Sequence, residues 1–266
     1  MFDIDTFTLN TDVYDLFEGM TSISAVIKSV SEGTSDRDII CVLFDSSRAD
    51  KISRELSFLS KKSIEMGFDL VATPSNKIAS LTSGDSHGGI VLISTKRSFG
   101  KIDDAFVNNL TNNSFYTLID GVEDPYNFAY SIRSLYASGV DGIILPHRNW
   151  MSFSGTVARS SAGTSELVDI RVADTVEAAQ LFKNHGFKVV CASIRDSVSI
   201  YEYDFSEPIL LVVGGEKRGI SRKILDISDA NVRIEYGREF MGSLPSASAV
   251  SVIAFEIARQ KKLFKK

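Results

Sequence analysis

Residues 208–213, PILLVV, form a short apolar run rich in β-branched side chains, and Gly214 and Gly215 break it at once. The run predicts a buried strand. The glycines predict a sharp turn whose backbone N–H groups can approach a ligand with no Cβ in the way. Asn231 to Ile234 predicts a second strand, followed by a loop with Gly237 and Gly242 and an apolar helix from about Leu244 to Gln260. Pro245 suits the first turn of that helix, where its missing N–H would have no partner. Two glycine-bearing loops, each after a strand, can line one small-molecule pocket at the carboxyl ends of the strands. Ordinary turns would leave the same local pattern.

Upstream, the stretch 13–31 carries Ile23, Val26, Ile27 and Val30 at helical spacing ahead of Gly33, and IICVLF at 39–44 predicts a strand. Arg48 to Met66 predicts a second helix with Ile52, Leu56, Leu59 and Ile64 inward, and Gly67 ends it. DLVAT, a short helix from Lys77 to Leu81 and GGIVLIST complete a small α/β unit over residues 1–95. Residues 96–113, polar and broken by Gly100, predict a linker with at most one helical turn. From Phe115 the pattern alternates strand and helix through FYTLID, a helix opened by Asp124-Pro125 and closed by Gly139, GIILP, a helix within 152–166 whose end faces the pocket, VDIRV, a helix at 175–185 and FKVVCASI. Asp196 to Ser206 predicts a loop. Such alternation over residues 114–266 predicts a parallel α/β sheet.

Composition narrows the classes. The chain has 266 residues and 44% hydrophobic content, enough for two domains with real cores. No apolar run approaches the length of a membrane span, and the acidic MFDIDTFTLN is unlike a signal or transit peptide, so a cytoplasmic protein is expected. Cys41 and Cys191 lie in separate apolar runs and read as buried free thiols, while His87, His147 and His185 are scattered, so no metal site is expected. The net charge is −5, with 14 acids against 8 bases in residues 1–95 and 20 against 21 beyond. A grip on nucleic acid would therefore be local. Lys96, Arg97 and Lys101, then Lys217, Arg218, Arg222 and Lys223, then the KKLFKK tail are the candidates.

VVGGEKRGIS followed by IEYGREFMGSLPSASAVSVIAFE resembles the last two motifs of the SpoU/TrmH family of RNA ribose 2′-O-methyltransferases, within the SPOUT superfamily. The family pattern there is G-x-E-x-x-G, a strand beginning I-P, then S-L-N before a helix. Gly214, Glu216, Gly219, Ile234, Ser243 and Leu244 match it. The first family motif, D-P-x-N-x-G-x-x-x-R, matches at Asp124, Pro125, Asn127 and Arg133, with Ala129 in place of glycine. Phe17-Glu18-Gly19 and Ser86-His87-Gly88-Gly89-Ile90 sit where many such enzymes carry the E-G and H-Q-G-I signatures of a ribosomal-protein-like substrate-binding module. The resemblance implies a C-terminal domain with a parallel sheet and a deep trefoil knot, preceded by that small α/β module. A knot is not readable from periodicity, and threaded chains are rare.

The implied cofactor is S-adenosylmethionine, held by Gly214, Gly215, Gly219, Ile234 and Leu244. Arg133, Asn127, Glu216 and Ser243 are the implied catalytic residues. Arginine is a poor base, so Arg133 is expected to bind an RNA phosphate and stabilise the developing alkoxide. Asn127 would orient Arg133 or the ribose, Glu216 would hold a cationic partner, and Ser243 would hydrogen-bond near the transferred methyl. The implied substrate is RNA, ribosomal before transfer RNA, and the implied assembly is a homodimer with Arg133 working across its interface. The departures are Pro245 for the asparagine of S-L-N and Glu235 for the proline of I-P. Proline supplies neither an amide side chain nor an N–H, so an RNA-binding paralogue without methyl transfer is the alternative. A nucleotide-dependent oxidoreductase lacks its G-x-G-x-x-G after the first strand.

Overall fold

The computed structural model describes residues 7–82, 87–146, 154–239 and 241–263. Ser86, His147 and residues 264–266 of the basic tail lie outside them. The chain opens with β1 (Tyr14–Glu18), α1 (Gly19–Ser31), β2 (Ile39–Asp45), a 3-10 turn (Ser46–Ile52), α2 (Ser53–Met66), β3 (Asp69–Thr73), α3 (Ser75–Leu81) and β4 (Ile90–Thr95). It continues through α4 (Asp104–Asn108), β5 (Phe115–Asp120), α5 (Pro125–Ser138), β6 (Gly142–Leu145), α6 (Ser154–Ser160), α7 (Thr164–Leu167) and β7 (Asp169–Val172). Last come α8 (Thr175–Asn184), β8 (Lys188–Ala192), β9 (Ser197–Ser199), β10 (Ile209–Gly214), α9 (Arg222–Ile227), β11 (Ala230–Arg233) and α10 (Ser246–Lys261). These elements fall into two units, one from Met1–Ser98 with Asn149–Leu167, the other from Phe99–Arg148 with Val168–Lys266.

The first unit is built on a mixed sheet of order β1-β4-β2-β3, in which only β2 and β3 run parallel. One face buries Phe17, Ile23, Val26, Ile27, Leu59 and Phe68, the other Cys41, Leu43 and Ile93. Two expectations change here. The helical stripe of 13–31 begins only at Gly19, whose φ of 77° lets the strand β1 turn into α1. Ile64, expected inward on α2, is 82% exposed, because its position lies well off the stripe through Ile52, Leu56 and Leu59.

The segment 152–166 was expected to face the pocket of the downstream domain, yet its described part packs in the first unit. Ala158 of α6 joins that core, and a Cβ on Gly155 would fall on the Leu16 carbonyl, so α6 lies directly on β1. Glu166 of α7 meets Arg37 at 2.9 Å, and the same guanidinium holds Asp15 at 2.6 Å and the Thr95 carbonyl at 2.8 Å, all three side chains under a tenth exposed. Burial alone would lower the pKa of Arg37, but Glu166 and Asp15 together outweigh it and raise the value. A buried cation with two carboxylates satisfies charge that neither element could bury alone.

The second unit is a seven-stranded sheet of order β7-β6-β5-β10-β8-β11-β9 with every pair parallel. Its core takes Tyr116, Leu118, Phe182, Val189, Leu210 and Val212, while α5 and α10 pack against each other, joined by a Ser251–Ser134 hydroxyl pair at 2.6 Å. Much of the expected linker 96–113 belongs to this unit. Ile102, Phe106 and Leu110 pack on the core beside buried Val107, and the Arg171 guanidinium lies 3.5 Å from the Phe106 ring centre. In sequence, the apolar Ile102, Phe106, Val107 and Leu110 are separated by the polar Asp103, Asp104, Asn108 and Asn109. β9, inside the expected loop 196–206, and α9, inside an expected basic patch, are too short to register as periodic patterns.

Candidate functional site

Because all strands of the second sheet run parallel, their carboxyl ends gather at one edge. Gly214 pairs with Asp120 there, and Val232 with Ala192. The chain leaving β8, β10 and β11 encloses a cavity of about 310 Å³ at this edge. Gly214, Gly215, Glu216, Gly219, Ile234, Ser243 and Leu244 all border it, as do Ser193, Tyr236 and Ser246. Val213, Ile220, Leu225, Val232 and Ile253 supply apolar wall. The cavity thus pairs apolar walls with a few polar groups, the usual make-up of a small-ligand site.

The glycines are also required by the chain itself. A Cβ on Gly214 would fall on the Gly219–Ile220 peptide, and one on Gly215 would fall on the Gly121 carbonyl. The close approach is chain against chain. Gly215 donates its N–H to the Asp120 carbonyl at 2.9 Å, and Gly219 donates to the Gly215 carbonyl at 2.8 Å with its own φ at 63°. Asp120, which sequence reading passed over, also accepts the Ser221 N–H at 3.0 Å through its side chain. Its only sequence signal is a carboxylate at the last position of a predicted strand.

Asn127 and Glu216 come together. Asp124 caps α5 by accepting the N–H groups of Tyr126 and Asn127 at 3.0 and 2.8 Å, as its position before proline predicts. That cap sets the first turn, and Asn127 then donates through Nδ2 to Glu216 Oε1 at 2.7 Å. Ser246, at the start of α10, donates to the same oxygen at 3.3 Å. Glu216 accordingly pairs with an amide and a hydroxyl, not with the expected cation, and Lys217 reaches Glu123 instead at 3.6 Å. A second cavity of about 290 Å³, bordered by Gly121, Glu123, Asp124, Pro125, Glu216 and Lys217, meets the first at Glu216.

Arg133 stands apart from this pair. It is exposed on α5, borders neither cavity, and among the described residues makes no hydrogen bond or ion pair. Helical geometry puts it away from the Asn127 side and in one stripe with Tyr126 and Tyr130, which are 46% and 48% exposed. Within the single chain Asn127 holds Glu216 and does not contact Arg133. Tyr136 of α5 and Phe255 of α10 are exposed as well.

Ile234, Tyr236, Ser243 and Leu244 border the first cavity. The Leu244 N–H donates to the Tyr236 hydroxyl at 3.2 Å, a contact that sequence does not foretell. Pro245 is the residue just before α10, not inside its first turn, and the helix begins with Ser246. Burial pushes the nearby Cys191 thiol of β8 up to about 12, and Cys41 of β2 likewise, so neither supplies a thiolate. No cluster suited to a metal occurs among the described residues, and no helix there is long and apolar enough to cross a membrane.

In the first unit the two expected signatures border one cavity of about 410 Å³, which takes in Glu18, Gly19, His87, Gly88 and Ile90. Glu18 accepts from Arg159 at 2.8 Å, and His87 Nδ1 accepts the Gly89 N–H at 3.0 Å. Among the basic groups considered for an RNA grip, Arg97 and Lys261 are buried. Arg97 donates to the Ser165 carbonyl at 3.0 Å and Lys261 to that of Glu207 at 2.6 Å.

The sequence model of the SpoU rRNA Methylase family matches residues 114–255. A Staphylococcus saprophyticus protein assigned to the TrmH family of tRNA/rRNA methyltransferases is 28% identical over 193 residues, covering 71% of this chain and 77% of its own. The AdoMet-bound rRNA methyltransferase of Sinorhizobium meliloti superposes with a TM-score of 0.76 at 22% identity, over 95% of this chain and 88% of that one. An RNA 2′-O ribose methyltransferase superposes with a TM-score of 0.73 at 17% identity, over 94% and 90%. At such identities the two superpositions speak for the fold.

Proposed function

The chain belongs to the SpoU rRNA methylase family, and on that premise we propose that it transfers a methyl group from S-adenosylmethionine to a ribose 2′-hydroxyl of RNA, ribosomal RNA before transfer RNA. The observation that carries this reading is Glu216, held by Asn127 at the wall where two cavities meet. Transfer between two bound molecules requires two adjoining sites, with the groups that manage the reaction at their boundary.

The cavity of about 310 Å³ fits the cofactor in kind. Val213, Ile220, Ile234 and Leu244 would flank an adenosine, and Ser193, Ser243 and backbone groups around Gly214 and Leu244 would meet its polar edges. When bound, S-adenosylmethionine supplies a sulfonium-activated methyl group. The chain's own part is to place a hydroxyl in line and to receive its proton. Glu216, exposed to the second cavity, is the carboxylate closest to that task, and Asn127 fixes its direction. Arg133 is a permanent cation free to bind a phosphate or a developing alkoxide.

The exposed Tyr126, Tyr130, Tyr136 and Phe255 on α5 and α10 support a homodimer through these helices, which would bring Arg133 to a partner's site. The deep knot fits the close backbone approaches at Gly214 and Gly215, where an added Cβ would fall on backbone atoms of the Gly219–Ile220 peptide and the Gly121 carbonyl. The first unit would recognise RNA shape around its Glu18 and His87 cavity, through loops and backbone more than net charge. A second reading, an RNA-binding paralogue without transfer, is favoured by Pro245 and by the Leu244 N–H already engaged by Tyr236.

Calorimetric titration with S-adenosylmethionine and its demethylated product, with NAD as control, decides between them. Saturable binding of the first two, together with a methylated position in RNA that resists alkaline cleavage, supports the transferase. A folded protein that binds neither at millimolar concentration supports the paralogue.

A further inference from the structure

The S-L-N pattern breaks at Pro245, a position that has neither an amide side chain nor a backbone N–H to offer. One residue later the chain recovers a donor. Ser246 is 8% exposed and opens α10, and its hydroxyl lies 3.3 Å from Glu216 Oε1. That same oxygen takes the Asn127 amide at 2.7 Å from α5. A glutamate has several freely turning side-chain torsions, and a single hydrogen bond leaves it free to swing about that contact. Two donors from two helices fix the carboxylate by triangulation, and α5 and α10 are themselves joined by the Ser251–Ser134 pair. Among the described residues Oε2 accepts no hydrogen bond, so the second oxygen stays available at the wall between the cavities.

We propose that Ser246 is a positioning residue for Glu216, supplying from the first position of α10 the side-chain donor that Pro245 lacks. The inference concerns methyl transfer only through the proposed function, and its contact can be read without cofactor or RNA. In the full chain labelled with 15N-asparagine, the side-chain amide of Asn127, assigned with Asn127→Asp, shifts and exchanges faster in Ser246→Ala and returns in Ser246→Thr. With S-adenosylmethionine and unmodified ribosomal and transfer RNA transcripts, Ser246→Ala lowers kcat by about tenfold or more. KM for the cofactor and Tm stay at their wild-type values. Pro245→Asn combined with Ser246→Ala regains turnover by returning a donor from the neighbouring position.

An Asn127 signal indifferent to Ser246→Ala overturns the proposal. So does a variant whose cofactor binding and Tm fall along with turnover, since that marks a structural role alone. If the wild type binds no cofactor and methylates no RNA while the Asn127 signal still responds to Ser246→Ala, the methyl-transfer reading falls and the positioning contact stands.

Discussion

Arg133 and Asn127 share α5 but face different ways, and their substitution should separate two roles. Arg133 is exposed and has no partner among the described residues, so Arg133→Ala should leave Tm unchanged. If it stabilises developing negative charge, kcat should fall by about 100-fold or more, measured as methyl incorporation into RNA. Asn127 is engaged by Glu216, so Asn127→Ala should lower kcat without touching the Arg133 stripe. At the same scale the two cysteines make a simple test. Burial raises both thiols to about 12, which keeps them protonated at pH 8. Iodoacetamide at that pH should label neither in the native protein and both after unfolding, as mass spectrometry would show. The motif residues could be named from sequence because their spacing is local, whereas Ser246 and Asp120 act on partners 30 and 101 residues away, for which no local pattern exists.

At the scale of elements, the turn from Gly214 to Gly219 and the α6–α7 segment each carry a prediction. A Cβ at Gly215 would fall on the Gly121 carbonyl, and backbone cannot yield as a side chain does. Gly215→Ala should therefore destabilise the protein by about 3 kcal/mol or more, seen in urea unfolding before any ligand is added. A loss of cofactor binding in such a variant would report packing, not a lost contact with ligand. Arg37→Met would leave Asp15 and Glu166 buried without their cation, at a cost of about 3–5 kcal/mol in the same assay. The helices α5 and α8 were legible because Asp124 and Asp174 cap them and apolar residues follow at helical spacing. β1 and the true length of α1 were not, because one glycine with positive φ divides what looks like a single stretch.

For the whole molecule, the exposed tyrosines of α5 imply a specific assembly test. Tyr130→Glu places a charge in the stripe shared with Tyr126 and Arg133, and if the proposed dimer forms through this face, sedimentation should shift from dimer to monomer, with methyl transfer lost at the same protein concentrations that separate the subunits. Should Tyr130→Glu sediment as the wild type does, this face is not the interface. The sequence by itself determined the alternation of strands and helices, the caps and glycine turns that bound them, and the motifs that place the chain in its family, since each of these acts between residues a few positions apart. Only the tertiary structure decided that Asn127, Glu216 and Ser246 share one oxygen, that Arg133 stands clear of them, and that α6 and α7 pack with the first unit around Arg37. Those meetings depend on the spatial order β7-β6-β5-β10-β8-β11-β9 and on buried charges finding partners more than a hundred residues away, which hydrophobic periodicity does not encode.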